Sequence, residues 1–391
     1  MTIHQPASTR YKIAMVAASP FPYPQGSQVL ISQLATALQQ RGHQVRLWTY
    51  AFGSGQPPEG IELNRIPDLP GLSQTSARPS WKKPFLDVQL TREFSKGTRQ
   101  WRPDLIHTHN FEGLLVALTM RRLRGIPVVY HIHNAMGLEL HTYFDSAVGR
   151  WAGGIVGRWV DAHLVHRADH CIVLTEEAAT YFRRQGVERL HVVPPGIDYR
   201  PGQAGRARAK LGDGPLVLYS GNLDRYQDLD LLLQAFELVA RDRPEAKLVL
   251  STHSASASWQ TRVPGTGSGS RVVVAEAETF GEVSDLMAAS DVAVCPRTNC
   301  LGFPIKLLNY MAAGRAIVAS EGSAMGVRHM ENGLVVEDGN VPDLATAIVR
   351  LLDDPALARR LGAEARRMVQ VDYSWDRACG AIEEVYARAV R

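Results

Sequence analysis

The sequence predicts an α/β protein of two Rossmann-like, doubly wound parallel-sheet domains facing a central cleft. Three observations carry this expectation. Short, near-continuous apolar runs alternate with longer amphipathic stretches, the pattern of parallel strands buried on both faces and of the helices that cover them. A segment rich in Pro, Gly and Arg, PPGIDYRPGQAGR at 194–206, interrupts that alternation, which then restarts, so a hinge is expected there. The chain has 391 residues, 45% apolar and 21% charged, which suits two ordinary cores and carries no signature of disorder.

In the first half KIAMVAA reads as the opening strand. The helix after it, QGSQVLISQLATALQQRG, keeps Val29, Leu30, Leu34, Ala37 and Leu38 at helical spacing, and Gly42 suits its C-terminal cap. QVRLWTY, PDLIHTH, IPVVYHIH, CIVL and HVVP read as further strands, with FEGLLVALTMRRLRG and TEEAATYFRRQG as helices between them. In the second half GPLVLYSG, AKLVLST, RVVVA, DVAVC and RAIVAS read as strands, and DLDLLLQAFELVARDRP, GFPIKLLNYMAAG and DLATAIVRLLDD as helices. The stretch at 254–270, SASASWQTRVPGTGSGS, reads as a flexible loop.

Composition narrows the function classes. A net charge of +4 is mild for this length and does not argue for nucleic acid. Cys171, Cys295, Cys300 and Cys379 form no C-x-x-C pair, and no His/Cys group has zinc spacing. Cys171 and Cys295 sit in apolar runs and read as small core residues. The N-terminal MTIHQPASTR has no apolar stretch of signal-peptide type, and no run approaches the ~20 apolar residues of a membrane span. A reduced, cytoplasmic protein is expected, with any membrane contact peripheral and on the inner face.

Ligands of such sheets bind beyond the carboxyl ends of the strands, so chemistry is sought there. The first strand runs into SPFPYPQGSQ, where Pro22 and Pro24 stiffen the turn and Gly26 allows close backbone approach at a helix start that favours an anion. An ordinary βα turn has the same look. His107 and His109 end one strand and His131 and His133 another; alternation puts each pair on one face. They suit catalysis, or hydrogen-bonded histidines at a crowded sheet edge; a metal would need a third and fourth ligand, and none is evident. In CPRTNCLGFPIKLLNYMAAGRAIVAS, Pro304 suits a first helical turn and Gly314 a helix end. Helical spacing gathers Ile305, Leu308, Met311 and Ala312 on one side and Lys306, Asn309 and Tyr310 on the other, where a phosphorylated ligand or plain solvent can face them. YSGNLDRYQDLD is another strand–loop–helix junction, with Asn222, Arg225 and Gln227 placed for a phosphate. Its Asp-x-Asp tripeptide is read as a helix cap, not a metal motif.

Taken in order, these segments resemble glycosyltransferase family 4, the retaining enzymes of GT-B fold. The landmarks run from Lys12 to the C-terminal helix: the Pro/Gly turn at 22–26, LATALQQRGHQVRLWT, PDLIHTH, GIPVVYHIH, RADHCIVLTEEAATYFRRQGV, VVPPGID, LYSGNLDRYQDLDLLLQAF, GFPIKLLNYMAAGRAIVAS, NGLVVEDGN and YSWDRACGAIEEVYARAV. No single one is specific; the ordered set is. The resemblance implies an acceptor-binding domain at 1–198, a nucleotide-sugar-binding domain at 199–373, and a last helix, 374–391, crossing back to the first. It implies metal-independent sugar transfer with retention and no cofactor, the nucleoside diphosphate-sugar, UDP-linked by preference, being co-substrate. His133 would lie at the transferred sugar and its phosphate. Gly26, Gly221, Asn222, Arg225, Arg297, Gly302, Phe303, Ile305, Lys306 and Asn309 would hold the donor, and His109, Asn110 and Asn134 the acceptor.

The chain departs from the family pattern. Leu301 and Asn309 stand where two glutamates are usual, Asn222 and Gln227 where the Arg and Lys for the diphosphate are usual, and Pro304 replaces a glycine. A charge-assisted hydrogen bond contributes roughly 1.5–3 kcal/mol, so losing two cations uncompensated would nearly abolish diphosphate binding. Arg225, Arg297 and Lys306 lie in the same loops and can replace them. The acceptor that the resemblance implies is a sugar or glycan, a lipid-linked acceptor or a small molecule. Two segments, 78–103 with Trp81, Phe85, Leu86 and Trp101, and 143–167 with Trp151 and Trp159 among Arg150, Arg158 and Arg167, mix basic and aromatic residues as an interfacial helix does, or as a core with a solvated rim does. A non-catalytic GT-B scaffold and a nucleotide-sugar epimerase stay as alternatives. A Rossmann dehydrogenase is disfavoured, since no G-x-G-x-x-G follows the first strand.

Overall fold

The computed structural model describes residues 9–22, 26–53, 57–68, 71–72, 80–253, 271–298 and 301–391. Pro24, Cys300 and the loop expected at 254–270 lie outside the described residues. In chain order the first half contains β1 (Lys12–Ala17), α1 (Gly26–Gln40), β2 (Gln44–Thr49), β3 (Glu62–Arg65), α2 (Lys83–Trp101), β4 (Leu105–His109), α3 (Phe111–Arg124), β5 (Val128–Ile132), α4 (Met136–Glu139), α5 (Ala147–Trp159), β6 (His170–Val173), α6 (Glu176–Arg184) and β7 (Leu190–Val192). The second half follows with α7 (Ala204–Leu211), β8 (Leu216–Ser220), α8 (Leu229–Asp242), β9 (Lys247–Thr252), β10 (Val272–Glu276), α9 (Phe280–Ala289), β11 (Val292–Cys295), α10 (Ile305–Ala312), β12 (Ala316–Ser320), β13 (Leu334–Val336), α11 (Val341–Asp353), α12 (Pro355–Asp372) and α13 (Trp375–Ala389).

Two parallel sheets result, ordered β3-β2-β1-β4-β5-β6-β7 and β10-β9-β8-β11-β12-β13. Contacts divide the chain into two units, the first being Met1–Tyr23, Ser27–Gly196 and Trp375–Arg391, the second Pro24–Gly26 and Ile197–Ser374. The central strands are buried along nearly their whole length, which is why they read as continuous apolar runs. β3, with sequence ELNR, is half-exposed at a sheet edge and has no apolar run to mark it. In each order the strand sequence reverses once, between β1 and β4 and between β8 and β11, and the crevice at such a point is where α/β sheets take ligands.

The first core is built on Ile13, Met15, Ile31, Leu34, Leu38 and Leu105 and includes Cys379, Ile382, Val385 and Tyr386 from α13. The last helix is therefore part of the first unit. Its outer edge is pinned by Glu383, whose two oxygens accept from Arg41 at 2.6 and 2.9 Å and whose Oε1 also meets His43 Nε2 at 3.0 Å. The second core gathers Val217, Leu232, Phe236, Leu248, Val294, Val318 and Ile348.

Three local expectations change. α7 starts inside the Pro/Gly/Arg-rich break, at Ala204, because Ala207 and Leu211 find buried positions. Asp228 does precede α8, but in a left-handed conformation and without a capping bond; its carboxylate accepts instead from the backbone N and hydroxyl of Thr298 at 2.8 and 2.7 Å. Tyr310 is not on a polar face: it is fully buried, its hydroxyl accepting from Ser220 N at 2.7 Å. A helix packed on two sides buries more than the single stripe that periodicity predicts.

Candidate active site

Each unit presents a polar cluster at the carboxyl ends of its central strands. In the first, alternation along β4 and β5 turns the histidines to one side, and the register sets His109 against His131. The rings of His107, His109, His131 and His133 lie against one another at centroid distances of 4.7 to 5.5 Å. His107 Nδ1 meets the hydroxyl of Tyr386 at 2.5 Å, and its Nε2 meets His131 Nδ1 at 3.1 Å. His109 Nδ1 meets His133 Nε2 at 3.0 Å. The Nε2 atoms of His109 and His131 are buried with no hydrogen-bond partner among the described residues.

Burial lowers the pKa of all these rings, to about 3 for His107, to about 4 for His133, and well below the ordinary value for His109 and His131. Each is then neutral near pH 7, with one N–H and one lone pair. Every contact takes one donor and one acceptor, so fixing the proton at one end of the Tyr386–His107–His131 line fixes it along the line. His133 is the least buried of the set.

His107, His109 and His131 also bring three ligand atoms within 4.8 Å of one another, a spacing a metal ion can use. The sequence reading finds no third ligand; the fold supplies one. Both nitrogens of His107 are already engaged, and among the described residues this group has no fourth member. Hydrogen bonding among the rings accounts for their arrangement.

Asn110, next to His109, has φ 62 and ψ 156, a region essentially reserved for glycine, and such a conformation costs about 1–3 kcal/mol. Asn134 follows His133 and is half-buried. The segment after it is held by Asp161, a buried carboxylate that accepts from Met136 N at 3.0 Å, Gly137 N at 2.7 Å and the Tyr181 hydroxyl at 2.9 Å. Asp161 sits on a π-turn, Val160–Leu164, which re-aims its side chain from the end of α5.

In the second unit Lys306, on the first turn of α10, donates to Gln227 Oε1 at 2.7 Å and to the Tyr219 hydroxyl at 2.8 Å, with its ammonium 4.0 Å from the Tyr219 ring centroid. An ammonium can only donate, which turns the Gln227 oxygen toward it. Gln227 Nε2 then donates to Asn222 Oδ1 at 2.9 Å, and Asn222 Nδ2 to the Tyr226 hydroxyl at 2.5 Å. Arg297 lies over the Tyr226 ring at 4.8 Å. Gly221 has φ 147, a conformation strained for other residues, and a Cβ there would crowd Lys306 Nζ at 3.0 Å and the Tyr219 hydroxyl at 3.2 Å.

The fold thus brings His109, Asn110, His133 and Asn134 together in one unit, and Gly221, Asn222, Lys306 and Arg297 in the other. Arg225 is exposed in the same loop as Asn222. Gly302 and Phe303 are buried, Phe303 against the Tyr373 ring at 5.5 Å and outside the polar network. Ile305 and Asn309 are half-buried on α10, and Gly26 opens α1, the turn before it lying outside the described residues. Sequence reasoning missed Tyr386, which meets His107 from 279 residues further along the chain, and Asp161, which holds the backbone of Met136 and Gly137 from 25 and 24 residues away. A lone buried acid one turn beyond a glycine-rich helix is the only signal that could have singled out Asp161.

Residues 25–196 match the family described as Glycosyl transferase 4-like domain, and residues 214–354 match Glycosyl transferases group 1. The chain is 27% identical over 418 residues to a D-inositol 3-phosphate glycosyltransferase of Rhodococcus jostii (strain RHA1), covering 99% of this chain and 91% of the relative. Among solved structures, sucrose-phosphate synthase from Thermosynechococcus elongatus superposes with a TM-score of 0.83 at 22% identity, over 97% of this chain and 98% of the other. Anabaena HepE in complex with UDP-glucose gives 0.75 at 18% identity, over 97% and 100%. No helix among the described residues is long and apolar enough to cross a membrane.

Proposed function

We propose that this chain, which belongs to glycosyltransferase family 4 and has the GT-B fold, moves a hexosyl group from a UDP-sugar to a hydroxyl of a glycan, lipid-linked or small-molecule acceptor. On this reading the anomeric configuration is retained, no metal takes part, and the protein works in the cytoplasm. The observation that carries it is the seat of Lys306. The family's diphosphate lysine is replaced by Gln227, and the Lys306 ammonium stands 2.7 Å from that glutamine's side chain. A cation is therefore restored at the position that lost one, delivered from a different helix.

In the reaction the acceptor oxygen bonds to the anomeric carbon and its proton passes to the leaving diphosphate oxygen, while the bond from that carbon to the same diphosphate oxygen breaks. Negative charge grows on the leaving diphosphate, and a fixed cation there acts most strongly in the transition state. Lys306, Arg225 and Arg297 supply that charge. Gly221 lets the backbone approach, and Asn222, Gly26, Gly302, Phe303, Ile305 and Asn309 complete the donor contacts. Neutral His133 addresses the transferred sugar and its phosphate, and His109, Asn110 and Asn134 the acceptor. The named relative that acts on an inositol phosphate and the neighbour solved with UDP-glucose favour a polyol or sugar acceptor and a uridine donor.

Thermal unfolding against UDP, GDP, ADP and their sugar conjugates tests this. Ligand at a hundred times its Kd stabilises by about 2.7 kcal/mol, a readable shift. UDP is expected to shift the transition, Lys306→Ala to reduce donor affinity by about 1.5–3 kcal/mol, and EDTA to leave transfer unchanged. Undiminished donor affinity in both Lys306→Ala and Arg225→Ala would remove the compensation argument. A second reading, a non-catalytic GT-B subunit, is favoured by Leu301 and Asn309 in place of the usual glutamates; it predicts no shift with any nucleotide, or a shift without turnover.

A further inference from the structure

We infer that the outer face of α5 is a docking surface for an anionic phospholipid bilayer. The inference does not rest on the transfer reaction and can stand or fall apart from it.

α5 is oriented opposite to an ordinary amphipathic helix. Its glycines face inward: Gly153, Gly154 and Gly157 are buried. A Cβ at Gly157 would come within 2.2 Å of the Met136 carbonyl oxygen, and one at Gly153 within 2.9 Å of the Phe144 ring, so the helix lies directly on the backbone beneath it. Its large apolar residues point to solvent. Val148 is 76% exposed, Trp151 69% and Trp159 53%, with Ile155 and Val156 also exposed. At 3.6 residues per turn Val148, Trp151, Ile155 and Trp159 form one continuous stripe over about three turns. A water-soluble surface helix shows the reverse pattern, and a contiguous apolar stripe of this kind needs a partner.

The charges say which partner. Arg150, Arg158 and Arg167 are exposed along or just beyond the helix, and His163 is exposed and stacked on Trp159 at 5.6 Å. From 147 to 167 the chain has one carboxylate, Asp161, and it is buried against Tyr181 and the backbone of α4, so the charges exposed along this stretch are basic, the nearest exposed acid being Asp145 before the helix starts. Exposed tryptophans flanked by arginines, on a helix too short to span, fit the headgroup boundary of a bilayer with anionic lipid. The start of α2, with Trp81 and Phe85 exposed, is a weaker candidate, because Lys83 is engaged by Glu112 at 2.8 Å.

The test is flotation of the purified full chain with phosphatidylcholine vesicles, with and without phosphatidylglycerol. Binding is expected only with phosphatidylglycerol and is expected to weaken in high salt. Trp151→Ser with Trp159→Ser should lower binding by about tenfold or more while leaving the melting temperature and the nucleotide-induced shift unchanged. Should the double variant fold poorly, Val148→Asp serves instead: the residue is exposed, and an acid near a helix N-terminus is favourable for the helix, yet it repels the lipid. No flotation with either vesicle overturns the inference, as does equal flotation of parent and variants. A parent that dimerises in solution, with the dimer lost in the variants and no lipid binding, assigns the stripe to a second copy of the chain and also overturns it.

Discussion

Asn110 shows how a single residue can serve the site at the expense of the fold. Its φ 62 and ψ 156 lie where side chains other than hydrogen are strained, beside His109 at the end of β4. Glycine adopts that conformation freely, although it also adds entropy to the unfolded chain, so Asn110→Gly is expected to stabilise the protein by about 1 kcal/mol net. Transfer activity should fall in the same variant, because the amide that the strain positions is gone. The urea midpoint and the turnover rate, measured side by side, check this. A less stable Asn110→Gly would mean the strain is not real. The pairing of Lys306 with Gln227 belongs to the same scale. Both residues are visible in the sequence, and so is the loss of the usual cations. Their contact is not, because 79 residues separate them and only the parallel β8–β11 geometry closes that distance.

At the level of elements, legibility followed burial. Strands covered on both faces, such as β1, β4, β5 and β8, appear as unbroken apolar runs. The edge strand β3 has no such run because half of it faces solvent, and α10 misleads because a helix covered on two sides loses its periodic polar stripe. The two His pairs could be placed on one sheet face from alternation alone. Their outer partner could not: Tyr386 comes from α13, which joins the first core although the whole second unit separates it from β4 in sequence. That contact makes α13 a support of the histidine cluster. Tyr386→Phe removes the hydroxyl and leaves His107 Nδ1 buried and unpaired, which should cost about 1–3 kcal/mol of stability. Chemical denaturation of parent and variant measures it, and an unchanged midpoint would show that His107 finds another partner.

For the molecule as a whole, the buried histidines make stability a function of pH. In the unfolded chain an imidazole titrates near 6.5, whereas in the fold burial lowers His107 to about 3 and His133 to about 4. Below pH 6.5 the unfolded state therefore binds more protons than the folded one. The stabilisation is fully present above the unfolded pKa and is lost as pH falls from 6.5 toward the folded values. Between pH 6.5 and 5 each of these two residues should remove on the order of 1–2 kcal/mol, with His109 and His131, lowered by the same burial, acting in the same direction. Glu383 adds to this trend at lower pH. Its pKa is depressed by the hydrogen bonds from Arg41 and His43 against an opposing desolvation, so its contribution holds above the ordinary carboxylate range and disappears as pH drops through the lowered value. Urea titrations at pH 7, 6 and 5 should show a falling midpoint across a range in which surface carboxylates barely titrate. The double variant His107→Gln with Tyr386→Phe, if folded, should flatten that slope in part. Asp87, raised by burial to about 6, acts in the opposite direction over this range, so the test is read in an Asp87→Asn background: a midpoint there that does not fall between pH 7 and 5 would mean that the rings reach solvent or ionise without cost, and the neutral hydrogen-bonded cluster assigned to the ends of β4 and β5 would have to be given up.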